Sequence, residues 1–128
     1  MNVVIDTYAW IEYFEGSKRG EKVQEILENS KIDAYTSTIT ILELTYHYLK
    51  KNFPFDEDKK IILSLSKISN INVENAEQAG ELHFNIKKER KHFSMADTII
   101  LQLAKEINGK VVTGDEDFRG LKEVIMIK

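Results

Sequence analysis

The run Val3-Val4-Ile5 is apolar and β-branched at every position. A strand with one solvated face alternates apolar and polar residues, so an unbroken apolar run must be covered on both sides. An α/β architecture meets that condition, because its crossover helices lie on both faces of a parallel sheet. The run ends at Asp6-Thr7, and the period changes at once. Tyr8, Trp10, Ile11 and Phe14 recur at helical spacing, and Gly16 closes the segment.

The same alternation continues along the chain. A second helix is expected from Ser17, with Val23, Ile26 and Leu27 on its apolar side. Residues 33–36 read as the second strand, and Ser37 or Thr38 is the expected cap of a helix carrying Ile41, Leu42, Leu44, Tyr48 and Leu49. Pro54, the single proline, breaks this helix from the next. Asp56 is the expected cap there, with Ile61, Ile62, Leu65 and Ile68 facing inward. Ile71-Asn72-Val73 reads as the third strand, followed by a helix over 74–91. Ser94 is the expected cap of a strongly apolar helix that includes Ile99, Ile100, Leu103, Ala104 and Ile107, and Asn108-Gly109 ends it. Residues 110–113 and 124–127 supply the fourth and fifth strands. These elements predict a three-layer α/β/α sandwich around a central, mainly parallel five-stranded sheet. No repeat or linker interrupts the pattern, so residues 1–128 are expected to form one domain, long enough to bury a core.

Charge narrows the function. Eighteen Lys and Arg against 21 Asp and Glu leave a net charge of −3, which argues against binding nucleic acid through bulk positive potential. It leaves open binding that runs through a metal. The chain has no cysteine, which excludes disulfides, thiolate metal sites and cysteine nucleophiles. No stretch reaches the ~18 apolar residues of a membrane span, and no basic leader precedes residue 3. A cytoplasmic protein without membrane contact is therefore expected.

The acids carry the chemistry. Only seven of the 21 are aspartates, at positions 6, 33, 56, 58, 97, 115 and 117. Asp6 follows the first strand, and Asp115 and Asp117 follow the fourth. Ligands of open α/β sheets bind outside the carboxyl ends of the strands, which is where these residues fall. Glu43 and Asp97 lie early in two apolar helices that begin near the same edge. Each acid has a simpler explanation as a cap or dipole partner. Several together on one edge are poorly explained by capping, since like charges ~4 Å apart repel by about 4 kcal/mol at an effective dielectric of 20. A divalent cation between them, or protonation of some members, relieves that repulsion. An all-oxygen ligand set suits Mg²⁺ or Mn²⁺.

At these residues the sequence resembles the PIN-domain ribonucleases, and within them the toxins of VapBC toxin–antitoxin pairs. Four segments carry the resemblance: Val3-Val4-Ile5-Asp6-Thr7 with Trp10-Ile11, then 38–44 around Glu43, then 96–104 opening on Ala96-Asp97-Thr98, then Val112-Thr113-Gly114-Asp115-Glu116-Asp117-Phe118. Each is weak alone, but the four in this order and at these separations are specific, and the resemblance spans essentially the whole chain. The resemblance implies a Mg²⁺- or Mn²⁺-dependent endoribonuclease with one or two ions per site. It carries Asp6, Glu43, Asp97 and Asp115 over as the catalytic and metal-binding acids, with Asp6 and Asp97 expected as direct ligands. Asp117 matches a variably used acid, and Thr7 and Thr113 match supporting hydroxyls. It also implies an RNA substrate, a VapB-like antitoxin whose C-terminal segment covers the two N-terminal helices, and a homodimer. A PIN-domain RNA-processing nuclease without a toxin role carries the same motifs.

The basic run Lys87-Lys88-Glu89-Arg90-Lys91-His92 offers Lys87, Lys88, Arg90 and Lys91 as RNA-phosphate contacts, or else a solvated helix end. His47, His83 and His92 lack metal-ligand spacing, and Trp10, Tyr13 and Phe14 read as core or interface. Two rival classes fit less well. A haloacid-dehalogenase-type phosphatase needs a second acid two residues after Asp6, where Tyr8 stands. A receiver module needs an acidic pair after its first strand and an aspartate after its third. Here Asp6 precedes Thr7, and the expected third strand leads to Glu74-Asn75.

Overall fold

A computed structural model describes residues 1–128. In chain order the elements are β1 (Asn2–Ile5), α1 (Thr7–Glu15), α2 (Lys18–Glu28), β2 (Asp33–Ser37), α3 (Thr38–Lys50), α4 (Asp56–Leu65), β3 (Lys67–Ser69), α5 (Val73–Ile86), α6 (Met95–Glu106), β4 (Lys110–Thr113) and β5 (Val124–Met126), with a 3₁₀ turn at Glu116–Phe118 before the last strand.

The five strands form one sheet in the order β3-β2-β1-β4-β5, and every neighbouring pair is parallel. The all-apolar run therefore sits in the middle strand. Its residues divide by the pleat, as successive side chains of a strand must. Val3 and Ile5 pack with Ala9, Trp10, Val23, Leu44 and Ile62 on the α1–α4 side, whereas Val4 packs with Phe93, Ile100, Leu101, Leu103 and Phe118 on the α6 side. Val112 and Val111 on β4 repeat the division. The outcome is the three-layer α/β/α sandwich, with a sheet that is wholly parallel.

Caps fix the element boundaries. Ser17, Ser37 and Ser94 each accept a backbone N–H at the start of α2, α3 and α6, and Gly16 takes the left-handed conformation (φ 69°) that closes α1. Trp10 is buried, stacked on Phe14 and edge-on to Tyr13, so this trio is core.

The structure corrects four expectations. β3 is Lys67–Ser69, paired with Tyr35–Ser37, and not Ile71-Asn72-Val73. Asn72 instead caps α5 through its side chain, and Val73, its first residue, is 77% exposed. A cap acceptor at Asn72 outweighs the β-propensity of its two neighbours. Asp56 is not a cap, because Phe55 holds that position without a side-chain bond. Asp56, Glu57 and Asp58 occupy the first turn of α4, where the helix dipole favours them. Of the four residues expected to face inward there, only Ile62 is fully buried; Ile61 and Leu65 are exposed, and Ile68 lies in β3. The helix expected over 74–91 ends at Ile86, so the basic run follows it in turns.

The exposed large apolar side chains lie away from the two N-terminal helices, the surface that the resemblance assigns to an antitoxin. None lies on α1 or α2. Leu42, Tyr46 and Leu49 form a stripe along α3, near Phe53 in sequence, while Ile61, Leu63 and Leu65 lie on α4 and Phe84 on α5. No helix is long and apolar enough to cross a membrane.

Candidate acidic metal site

The chain runs from β1 to one side of the sheet through β2 and β3, then returns to the other side through β4 and β5. The order thus reverses between β1 and β4, and a crevice opens outside the carboxyl ends of these two strands. Asp6 follows β1 there, its N–H extending the ladder to the Val112 carbonyl at 3.3 Å. Asp115 follows β4 through Gly114. α3 and α6 begin at the same edge and bring in Glu43 from the second turn of the one and Asp97 from the first turn of the other.

Asp6, Thr7, Tyr8, Glu43, Ala96, Asp97, Ile100 and Asp115 line one cavity of about 90 Å³. Asp117 is not among its lining residues. It joins Asp97 and Asp115 in a second, overlapping group, in which one carboxylate oxygen from each lies within 4.8 Å of the others. The expected acids therefore converge as two sets sharing Asp97 and Asp115. Asp117, the acid with the plainest alternative as a cap, belongs to the tighter set.

Capping and convergence occur together. Asp6 caps α1, with Oδ1 accepting the Ala9 N–H at 2.8 Å. Asp97 closes a capping box in which Oδ2 accepts the Ser94 N–H at 3.1 Å and the Ser94 hydroxyl accepts the Asp97 N–H at 3.0 Å. Asp115 Oδ1 accepts the Asp117 N–H at 2.9 Å, and the Asp115 N–H is in turn held by Thr113 Oγ1 at 3.0 Å. In each aspartate one named oxygen is fixed by a backbone donor, which sets the direction of the other. Glu43 sits between buried Leu44 and exposed Leu42, and its Oε1 accepts the Thr7 hydroxyl at 2.5 Å.

The electrostatics match an unbalanced cluster. Burial pushes the Asp6 carboxyl from 3.8 up to about 7; the Thr113 hydroxyl and the Ala9 N–H oppose the rise, and Asp115 and Asp97 add to it. Asp97 is also raised, chiefly by burial, against its bonds to Ser94 and with the charges of Asp115 and Asp117. No cation lines the cavity. A hard divalent ion among these oxygens removes the repulsion and fits the donor chemistry.

The basic run takes up another place than a free phosphate grip. Arg90 Nη1 donates to the carbonyl of Asp117 at 2.8 Å, which ties the turns after α5 to the acid-bearing turn. Lys87 reaches the Lys91 carbonyl, Lys88 lies over the Phe84 ring, and the Lys87, Lys88 and Lys91 side chains are exposed. His83 Nδ1 lies 2.7 Å from Thr98 Oγ1, which bonds the Ser94 carbonyl, so α5 also steadies the first turn of α6. His47 is half-buried and His92 exposed. Arg90 and His83 were not legible as supports, because their partners lie 27 and 15 residues away at no motif spacing. For the rival receiver module, the residues after the true third strand are Asn70-Ile71, again without an aspartate.

Comparison with known proteins gives the family and the fold. Residues 3–124 match the family model of the PIN domain. A toxin–antitoxin complex from Klebsiella pneumoniae contains a chain with 24% identity and a TM-score of 0.78, covering 98% of both chains. The structure of VapBC2 from Rickettsia felis bound to a DNA fragment of its promoter gives 19% identity and a TM-score of 0.74, over 98% of this chain and 97% of that one. Mycobacterium tuberculosis VapC20, described as a sarcin-ricin-loop-cleaving toxin, gives 17% identity and a TM-score of 0.74, over 95% of this chain and 98% of that one. These likenesses are of fold. No curated protein matches the chain in sequence.

Proposed function

Given that the chain belongs to the PIN-domain family, we propose that it is a divalent-metal-dependent endoribonuclease and the toxin of a VapBC-type pair. What carries this reading is the convergence of Asp6, Glu43, Asp97, Asp115 and Asp117 at the point where the strand order reverses. Asp6, Asp97 and Asp115 are the residues to hold the ion, with Glu43 in the cavity they line and Asp117 in the group that shares Asp97 and Asp115. Two oxygen sets sharing Asp97 and Asp115 fit one or two ions, Mg²⁺ or Mn²⁺. Bound there, a divalent ion supplies charge neutralisation at the scissile phosphate and acidifies the attacking water. The protein's own part is orientation. The Ala9 and Ser94 N–H groups hold two of the aspartates, and Thr113 holds the turn that presents Asp115. Glu43, aimed by Thr7, is assigned to position the attacking water.

The partners follow from the neighbours. Chains of this fold occur in complexes described as toxin–antitoxin and VapBC, which supports a VapB-like antitoxin as partner. The apolar stripe Leu42, Tyr46, Leu49 is the surface that supports a homodimer; light scattering on the purified chain tests it. Lys87, Lys88 and Lys91 remain the exposed cations proposed for RNA phosphates. The deciding experiment is cleavage of RNA with and without Mg²⁺ or Mn²⁺. Asp6→Asn and Asp97→Asn are expected to abolish cleavage and keep the fold. Wild-type-like cleavage by either variant overturns the assignment.

A further inference from the structure

On the ribonuclease reading a pocket lined by four acids must accept a polyanion, and none of the residues lining it is basic. Arg90 is committed to the Asp117 carbonyl. One other cation is held at the rim. Arg19, in the first turn of α2, donates from Nη1 to the Tyr8 hydroxyl at 2.6 Å. Tyr8 itself lines the acidic cavity, and its ring lies against Gly114, where a Cβ would come within 2.2 Å of the ring. Arg19 is thus one tyrosine ring away from the carboxylates. Glu12 stands 3.8 Å from the same nitrogen, and its second oxygen takes the Ser17 hydroxyl. Glu12 is 16% exposed and Arg19 44%. The guanidinium is therefore held through Nη1, on a side chain that is otherwise partly open to solvent.

We propose that Arg19 is a phosphate-binding residue for the RNA strand, contacting a phosphate that flanks the scissile one, with Tyr8 as its positioning residue. The inference rests on the ribonuclease reading. A guanidinium suits the task, because its planar donors can pair with two phosphate oxygens at once while one nitrogen keeps the tyrosine. The competing role is a tie between α1 and α2, which pack so closely that a Cβ on Gly20 would meet the Glu12 carbonyl at 2.1 Å.

Steady-state cleavage of a single-stranded oligoribonucleotide across a salt series separates the two, with Arg19→Ala, Arg19→Lys and Tyr8→Phe beside the wild type. If Arg19 binds phosphate, Arg19→Ala raises KM about tenfold with kcat nearly unchanged. The slope of log kcat/KM against log salt becomes shallower by about 0.7, the value for one lost contact to a single strand. Arg19→Lys keeps the slope, and Tyr8→Phe raises KM while keeping it. An Arg19→Ala protein with wild-type KM and slope overturns the proposal. So does one that melts earlier and loses kcat at an unchanged slope, since that is the helix tie. A wild type that cleaves no RNA with either ion overturns the ribonuclease reading itself, and Arg19 with it.

Discussion

The Thr7 hydroxyl donates to Glu43 Oε1 across 2.5 Å, so the residue directly after Asp6 orients an acid 36 positions further along the chain. The bond crosses from the first turn of α1 to α3, and it is charge-assisted and half-buried. Removing the hydroxyl while keeping the shape should misdirect Glu43. Thr7→Val is expected to lower kcat about tenfold, and Thr7→Ser to restore most of it. Melting should barely move, because the pair is partly solvated. A Thr7→Val enzyme with wild-type kcat would show that Glu43 needs no such guide.

Arg90 was expected among the phosphate contacts, and its bond to the Asp117 carbonyl gives it a separable effect. Arg90→Ala frees the turn that presents Asp115 and Asp117. It should weaken activation by the divalent ion roughly tenfold and leave the salt slope of RNA cleavage alone. Lysine should not rescue it, since a single ammonium cannot reproduce the guanidinium's placement. Lys88→Glu should do the reverse, changing the salt slope and sparing ion activation. Equal salt slopes in all three proteins would place neither residue on the RNA.

Much of the site was legible because its acids sit next to strong signals. Asp6 ends the one wholly apolar strand, Asp97 follows a serine cap, and Asp115 follows β4, so the rule for α/β sheets puts all three on one edge. β3 was not legible. Lys67–Ser69 has one apolar residue, and its place comes from pairing with Tyr35–Ser37 and from Ser66, which binds both Thr36 and the Ile62 carbonyl. Ile71-Asn72-Val73 had the better strand composition and lost to a cap. Arg19 was equally hidden, because its partner Tyr8 lies 11 residues back across the α1–α2 junction, a separation that only the packed fold closes.

One buried group departs from good pairing in a way that can be measured. The Thr40 hydroxyl, in the first turn of α3, is fully buried without a hydrogen-bond partner. An unpaired buried hydroxyl costs about 1–3 kcal/mol, and valine has nearly the same shape. Thr40→Val is expected to raise stability by about 1 kcal/mol in urea unfolding, at an unchanged m-value. A destabilised variant would mean that the hydroxyl is satisfied in solution.

Asp6 makes stability depend on pH and on the ion together. Free of metal, its carboxyl titrates near 7 in the folded chain against 3.8 otherwise, so the fold holds this proton more tightly than the unfolded chain does. Stability then falls as pH rises between these values; the contribution is complete below about pH 4 and lost once pH passes about 7. At about 1.4 kcal/mol per unit the span is on the order of 4 kcal/mol. The chelator-treated protein should therefore melt lower at pH 8 than at pH 5, and Asp6→Asn should remove most of that difference. A divalent ion prefers the ionised carboxylates, so adding Mn²⁺ should raise the melting temperature more at pH 8 than at pH 5. If Asp6→Asn keeps the wild-type pH dependence, or Mn²⁺ stabilises equally at both, the buried proton and the ion do not compete for Asp6.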